Sequence, residues 1–318
     1  MRFLIISTSL LWGAASGCVS NQDSSVKTGA TGVGFETEVV SLLGRPLYAR
    51  PSGDQKKLTQ AFLQSIIDFH GSPKDLSKIV WPGRRLGYLW RMNDAIHYYT
   101  LALEKHPNHA PLYRHRGHRY ISVRQFDRAI EDLEKAAVLL AGRPEEIEPD
   151  GMPNVKNIPL TTTAFNVWYH LGLARYLKGD FEGALAAYRE TMKHSRRYDD
   201  NLVATTHWMY MTLRRLRRDK EAAALLKPIR EDMEIIENHA YHRCVLMYKG
   251  LLKPDELSVD GDMNGVVDVT QGYGLGNWYL YRGDKAEAKK VFERVVSGDL
   301  WPGFGFIAAE ADLARLRK

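Results

Sequence analysis

Two pairs of histidines stand three residues apart in the chain: His115 with His118, and His239 with His242, the second pair close to Glu237. On a helix that spacing puts both rings on one face, where they can share a metal ion. No third and fourth ligand follows at a matching spacing, so the rings are read as hydrogen-bonded or groove-lining, and no metal or cofactor is assigned. Arg114 stands beside the first pair, and arginine with histidine is a set that can hold an anion. There is no Gly-x-Ser-x-Gly and no glycine loop of the kind that cradles phosphate. No catalytic residue is named, although carboxylates that meet only in space leave an enzyme open. Asp260-Gly261-Asp262-Met263-Asn264-Gly265 lacks the ligand series and closing glutamate of a calcium loop. Of the two cysteines, Cys244 sits in the apolar run Cys244-Val245-Leu246-Met247 and reads as a small buried residue. The formal net charge of +6 is spread along the helices and gives no reason to expect nucleic acid.

These residues need helices to position them. The stretch Phe165 to Glu190 reads as two short helices joined at Lys178-Gly179-Asp180. Glycine and alanine (Gly172, Ala174, Ala184) fall where two helices approach closely, and aromatics (Trp168, Tyr176, Phe181, Tyr188) fall where a neighbouring pair would plug. One such unit cannot bury its own apolar face, so it requires neighbours. Asn93-Asp94-Ala95-Ile96 and Phe126-Asp127-Arg128-Ala129-Ile130 repeat the second helix 34 residues apart. Arg218 to Ala224 and Gly283 to Ala288 repeat it again, with Ala223 and Ala288 in the key position. Between the second and third units lies an insertion, 141–163, with Pro144, Pro149, Pro153 and Pro159 and an acidic centre, Glu145 to Asp150. Four prolines forbid a continuous helix. A loop of this length is read either as a solvated loop or as a flap across the basic helix beside it.

Leu58, Phe62, Ile66 and Phe69 line one face of a helix over 55–69. Ser72-Pro73 is expected to start another, and Trp81-Pro82-Gly83 to break the first helix of the first repeat. Glu237 to Leu251 is a further helix with a degenerate partner. The fifth repeat is expected over 274–296, and Phe306 to Leu316 as a capping helix.

The Trp, Leu-Gly, Tyr, Ala and aromatic positions of 165–190 resemble the tetratricopeptide (TPR) repeat. The resemblance runs over about 76–302. It implies an all-α fold: a right-handed superhelix, or α-solenoid, of about five helix-turn-helix repeats with flanking helices. Against that pattern Arg116 replaces a usual leucine, which makes the second repeat's first helix polar. The resemblance also implies a concave binding face. Its positions fall on Arg84, on Arg114 and His118, on Asn166, Tyr169 and Tyr176, on Trp208, Thr212 and Arg215, and on Tyr273, Asn277 and Tyr281. Cations, aromatics and amides together suit a peptide or an acidic group; the alternative for any one of the aromatics is that it packs under the neighbouring repeat. The set departs from the Lys, Asn and Arg clamp some TPR domains use for a C-terminal carboxylate, so that clamp is not carried over.

At the N-terminus, Met1-Arg2, an apolar run and the small residues up to Cys18 form a secretory signal over 1–17. Ala15-Ser16-Gly17-Cys18 resembles the bacterial lipobox, which implies acylation of Cys18 and a lipid anchor. Val19 and Ser20 stand where inner-membrane lipoproteins usually carry Asp, so the outer membrane, facing the periplasm, is expected. Residues 18–40, polar and glycine-rich over 19–34, read as a flexible tether, with the solenoid over 41–318. The expected role is an adaptor holding an envelope protein or peptide in its groove. The alternatives are an enzyme or receptor for a small anionic ligand near Arg114 and His118, and an array that only forms a homodimer.

Overall fold

The computed structural model describes residues 37–50, 53–257 and 263–317. The leader, Cys18 and the tether up to residue 36 lie outside them, as do residues 260–262 of the acidic stretch.

Turn chemistry sets the third unit. Thr162 accepts a hydrogen bond from the Phe165 amide and starts α6 (Thr163–Lys178). Gly179, in the left-handed region at φ 96°, ends it, and Asp180 accepts from the Gly183 amide to start α7 (Phe181–Lys193). Ala184 is fully buried where the two helices meet, as are Ala95, Ala129 and Ala288 in the corresponding positions. The fourth key alanine is Ala222 rather than Ala223, which is exposed.

The other pairs are α2 (Trp81–Tyr88) with α3 (Met92–Lys105), α4 (Ala110–Ser122) with α5 (Phe126–Leu140), α8 (Asp199–Arg215) with α9 (Asp219–Leu225), and α11 (Val266–Tyr281) with α12 (Lys285–Val295). α1 (Gln55–Gly71) covers α2, and α10 (His239–Lys249) packs between α8 and α11, followed, among the described residues, by a short 3-10 turn at Pro254–Glu256 in place of a full partner helix. The polar α4 is accommodated because Arg116 meets Asp132 of α5 through two bonds of 2.7 Å. The all-α array of helix pairs is therefore as expected.

Four local expectations change. Ser72 caps the end of α1 instead of starting a helix, and 73–80 are turns. Pro82 opens α2 rather than breaking it, since a first-turn proline forfeits no helical hydrogen bond. The fifth repeat begins at Val266, eight residues before Gly274. Residues 37–40, assigned to the tether, form β1 (Thr37–Val40), antiparallel to β2 (Pro46–Tyr48).

The last helix, α13 (Phe304–Leu316), does more than cap α12. It packs on α11, α12 and also α6, so it lies across the inner face of the array. The hairpin meets it there. Glu310 accepts from the Leu42 amide at 2.6 Å, and Trp301 Nε1 donates to the Tyr48 carbonyl at 2.8 Å. The hairpin also reaches the first repeat, where Glu38 accepts from the Asn93 amide. Trp90 packs edge-to-face on Trp301. Residues from the two ends of the array thus meet over its inner side.

Candidate functional site

The sequence-predicted groove divides in two. Tyr176, Trp208, Thr212, Tyr273 and Asn277 are fully buried. The Tyr176 and Tyr273 hydroxyls bond each other at 2.7 Å, and Asn277 donates to the Tyr176 hydroxyl at 3.1 Å. Arg215 donates to Asn277 Oδ1 at 2.9 Å and pairs with Asp312 of α13. Asp312 also accepts from Tyr273 at 2.9 Å and from Arg315 at 2.7 Å. Burial alone would push the Asp312 carboxyl up, but Arg215, Arg315 and the Tyr273 bond hold it below its usual value. Trp208 stacks on Tyr273, and Thr212 bonds its own helix through the Trp208 carbonyl. Tyr169 is buried as well, bonded to the Tyr241 hydroxyl at 3.2 Å. These residues do face inward. The chain's own α13 lies over much of that face, so in this conformation they offer no surface to a partner. Tyr281 is partly exposed, beneath the Arg214 guanidinium.

Arg84, Arg114 and His118 do come together. They line a cavity of about 90 Å³ with Tyr88, Tyr99, His115 and Arg119, supplied by α2, α3 and α4. Asn166 lies in an adjoining cavity of about 200 Å³ that shares Arg84 and Arg114. The proline-rich insertion forms one wall of this outer cavity. A bridge between Ile147 and Thr162 closes its base, and Arg84 and Arg85 donate to the carbonyls of Pro149 (2.7 Å) and Gly151 (3.1 Å). A Cβ at Gly151 would fall 1.9 Å from the Tyr88 hydroxyl, so a larger residue there would have to displace the Tyr88 ring. From the insertion, Glu148 reaches Arg114 at 3.0 Å, both side chains being buried. The insertion is thus folded across the basic helix.

His115 Nδ1 accepts from Arg114 at 2.9 Å, which fixes a neutral ring. Burial and the Arg114, Arg84 and Arg119 charges hold its pKa well below the ordinary value. His118 and His170 are pushed down the same way; they lie against each other and against Phe304 of α13. Of the second histidine pair, both on α10, His239 is exposed while His242 is buried and bonded to the Arg230 carbonyl. Among the described residues no three His, Cys, Asp or Glu side chains converge as metal ligands, and no helix is long and apolar enough to cross a membrane. Cys244 is buried, its thiol pushed up to about 12.

Sequence reasoning missed Arg119 and the part played by Tyr88 and Tyr99. The available signal was the glycine pair Gly83 and Gly87, one turn apart on α2. A Cβ at Gly87 would fall 2.3 Å from the Arg119 guanidinium, so the glycine leaves the path that Arg119 takes across α2.

Comparison with known proteins identifies one repeat of the array. Residues 272–297, in α11 and α12, match the tetratricopeptide repeat family model. The chain thus carries a tetratricopeptide repeat at 272–297, within an all-α array of helix pairs. It is similar in fold to a tetratricopeptide repeat protein from Parabacteroides merdae ATCC 43184 (14% identity, 80% of this chain and 93% of that one, TM-score 0.45). It is also similar to YrrB, described as a TPR protein with an unusual peptide-binding site (15% identity, 74% and 91%, TM-score 0.41). A third is the putative kinesin light chain of Podosopora anserina, with nearly identical TPR-like repeats (14% identity, 70% and 94%, TM-score 0.43). No curated protein matches the sequence.

Proposed function

We propose that the protein is a scaffold of the bacterial envelope, held to the outer membrane by a lipid on Cys18 and engaging a partner protein on its periplasmic side. The repeat array supports the scaffold role, because such arrays present extended surface rather than a single catalytic cleft. The observation that carries the reading is the filled inner face. With α13 seated and paired through Glu310 and Asp312, the partner docks outside the groove, where the insertion presents Ile147, Met152 and Val155 to solvent, Val155 at 96% exposure.

The test is crosslinking in intact envelopes of the full-length tethered protein, beside a variant with Ile147→Ser, Met152→Ser and Val155→Ser. The expected result is a defined partner captured by the parent and lost by the variant, with helicity unchanged. Capture that survives these changes rejects the insertion as the docking surface. A Cys18→Ser variant that still sediments with the outer membrane rejects the anchor.

A further inference from the structure

The inner cavity holds three guanidinium groups, and no carboxylate lines it. Arg84, Arg114 and Arg119 all border the 90 Å³ space, and its other walls are two tyrosines and two histidines. Glu148 pairs with Arg114 at 3.0 Å and lies 3.9 Å from His115 Nε2, and of the two cavities it lines only the outer one. Arg114 is 7% exposed, and its Nε is buried without a partner. Among the described residues, the Arg119 guanidinium donates to nothing stronger than the Met92 sulfur at 3.5 Å. Burial, with Arg114 and Arg84 beside it, pushes its pKa down to about 10 against the opposing pull of Tyr99 and Tyr88. Taking a charge out of water costs several kcal/mol unless a counter-charge answers it, which weighs on the buried Arg114, answered only by Glu148, and on Arg119, which has no acidic partner. The histidines add no charge, since both rings are neutral. A water takes about 30 Å³ of liquid, so the space accepts one group of roughly three waters' size. Forked N–H donors match the oxygens of a carboxylate or a phosphate.

We propose that this cavity is a binding site for one small oxyanion, a carboxylate or phosphate group, held by Arg84, Arg114 and Arg119 beneath the insertion. Arg84 and Arg114 line both cavities, so the outer cavity is the approach to the inner one. Glu148 is the resident competitor, a carboxylate of the chain itself already on one of the three arginines. The proposal is independent of where a protein partner docks.

Calorimetric titration of the full-length protein in detergent, at constant ionic strength, tests it with inorganic phosphate and with acetate as separate probes. Saturable binding of at least one probe is expected, and the one that binds identifies a tetrahedral or a planar site. Arg119→Gln should weaken it about tenfold, as the loss of a charge-assisted hydrogen bond implies. Glu148→Gln should tighten it by removing the competitor. Arg119→Lys, which keeps the charge and loses the fork, should fall between parent and Arg119→Gln, and melting curves establish that each variant is folded. Failure of both probes to bind the parent saturably, or binding that Arg119→Gln leaves unchanged, overturns the proposal.

Discussion

The array has two arginine-bearing inner surfaces, and they are closed differently. On the C-terminal side each arginine meets an acid from α13. The Arg124 side chain, 3% exposed, donates to Glu310 at 2.7 and 2.9 Å, while Arg215 and Arg315 share Asp312. On the N-terminal side three arginines face a single carboxylate, Glu148, brought by a loop rather than a helix. Burial and residue type are alike. The difference lies in neutralisation, and it separates a surface that is finished as structure from one still able to take a ligand.

The strongest way to break this comparison is Glu310→Gln. Both Glu310 oxygens are engaged, by Arg124 and by the Leu42 amide, at zero exposure. Removing the charge leaves Arg124 buried and unpaired, which should cost about 3–5 kcal/mol. Urea denaturation reads this, and a loss below about 1 kcal/mol would show that α13 is not locked by the pair. Gly305→Ala asks the same of packing. Its Cβ would lie 2.1 Å from the Val269 carbonyl oxygen of α11, which is backbone and cannot swing away. Overpacking should cost about 1–3 kcal/mol in the same measurement.

How legible each surface was follows from range. Ala95, Ala129, Ala184 and Ala288 announce the repeats because a small residue at a close approach is a local signal. Ala222 was misread as Ala223 because three alanines stand in a row, and only the fold decides which one faces α8. The seating of α13 was not legible. Its small-residue run, Ala308-Ala309-Glu310-Ala311-Asp312, fits any close helix contact, and nothing local says that Glu310 belongs to Arg124, 186 residues away. Tyr176 and Tyr273 were placed on the correct face, but the helix covering them could not be seen. The cationic site was half visible: Arg84, Arg114 and His118 came from repeat position, whereas Arg119 stands off those positions.

Acid should distinguish the surfaces. His115, His118 and His170, near or facing the cationic cavity, have folded pKa values below their ordinary 6.5, so they bind protons more readily when unfolded. Their share of stability is present above pH 6.5 and is lost as pH falls below it. Asp312 also has a depressed value, but its unfolded reference is 3.8, so its contribution persists until pH falls past that point. His207, pushed down to about 3 by burial, adds to the loss below 6.5 from a site among the C-terminal aromatics. Hydrogen exchange at pH 5 should show α4 and α6 losing protection relative to pH 7.5 by a larger factor than α13. Equal loss throughout would mean that the two surfaces unfold as one unit.

The smallest expected effect is the most informative. Arg119→Met replaces a cation beside two other guanidiniums with an unbranched apolar chain of similar reach. In a finished structural network, removing one member strands its partner. Arg119 has no acidic partner to strand, and the change relieves repulsion with Arg84 and Arg114. Stability should therefore stay within about 0.5 kcal/mol of the parent or rise slightly, as replacement of a poorly compensated buried charge by an apolar side chain often does. The same change at Arg124 should be severe, because it leaves Glu310 charged at zero exposure. Urea midpoints for the two variants set the contrast directly. If Arg119→Met loses as much as Arg124→Met, then Arg119 is held by the fold as firmly as the α13 pairs, and the asymmetry between the two surfaces fails.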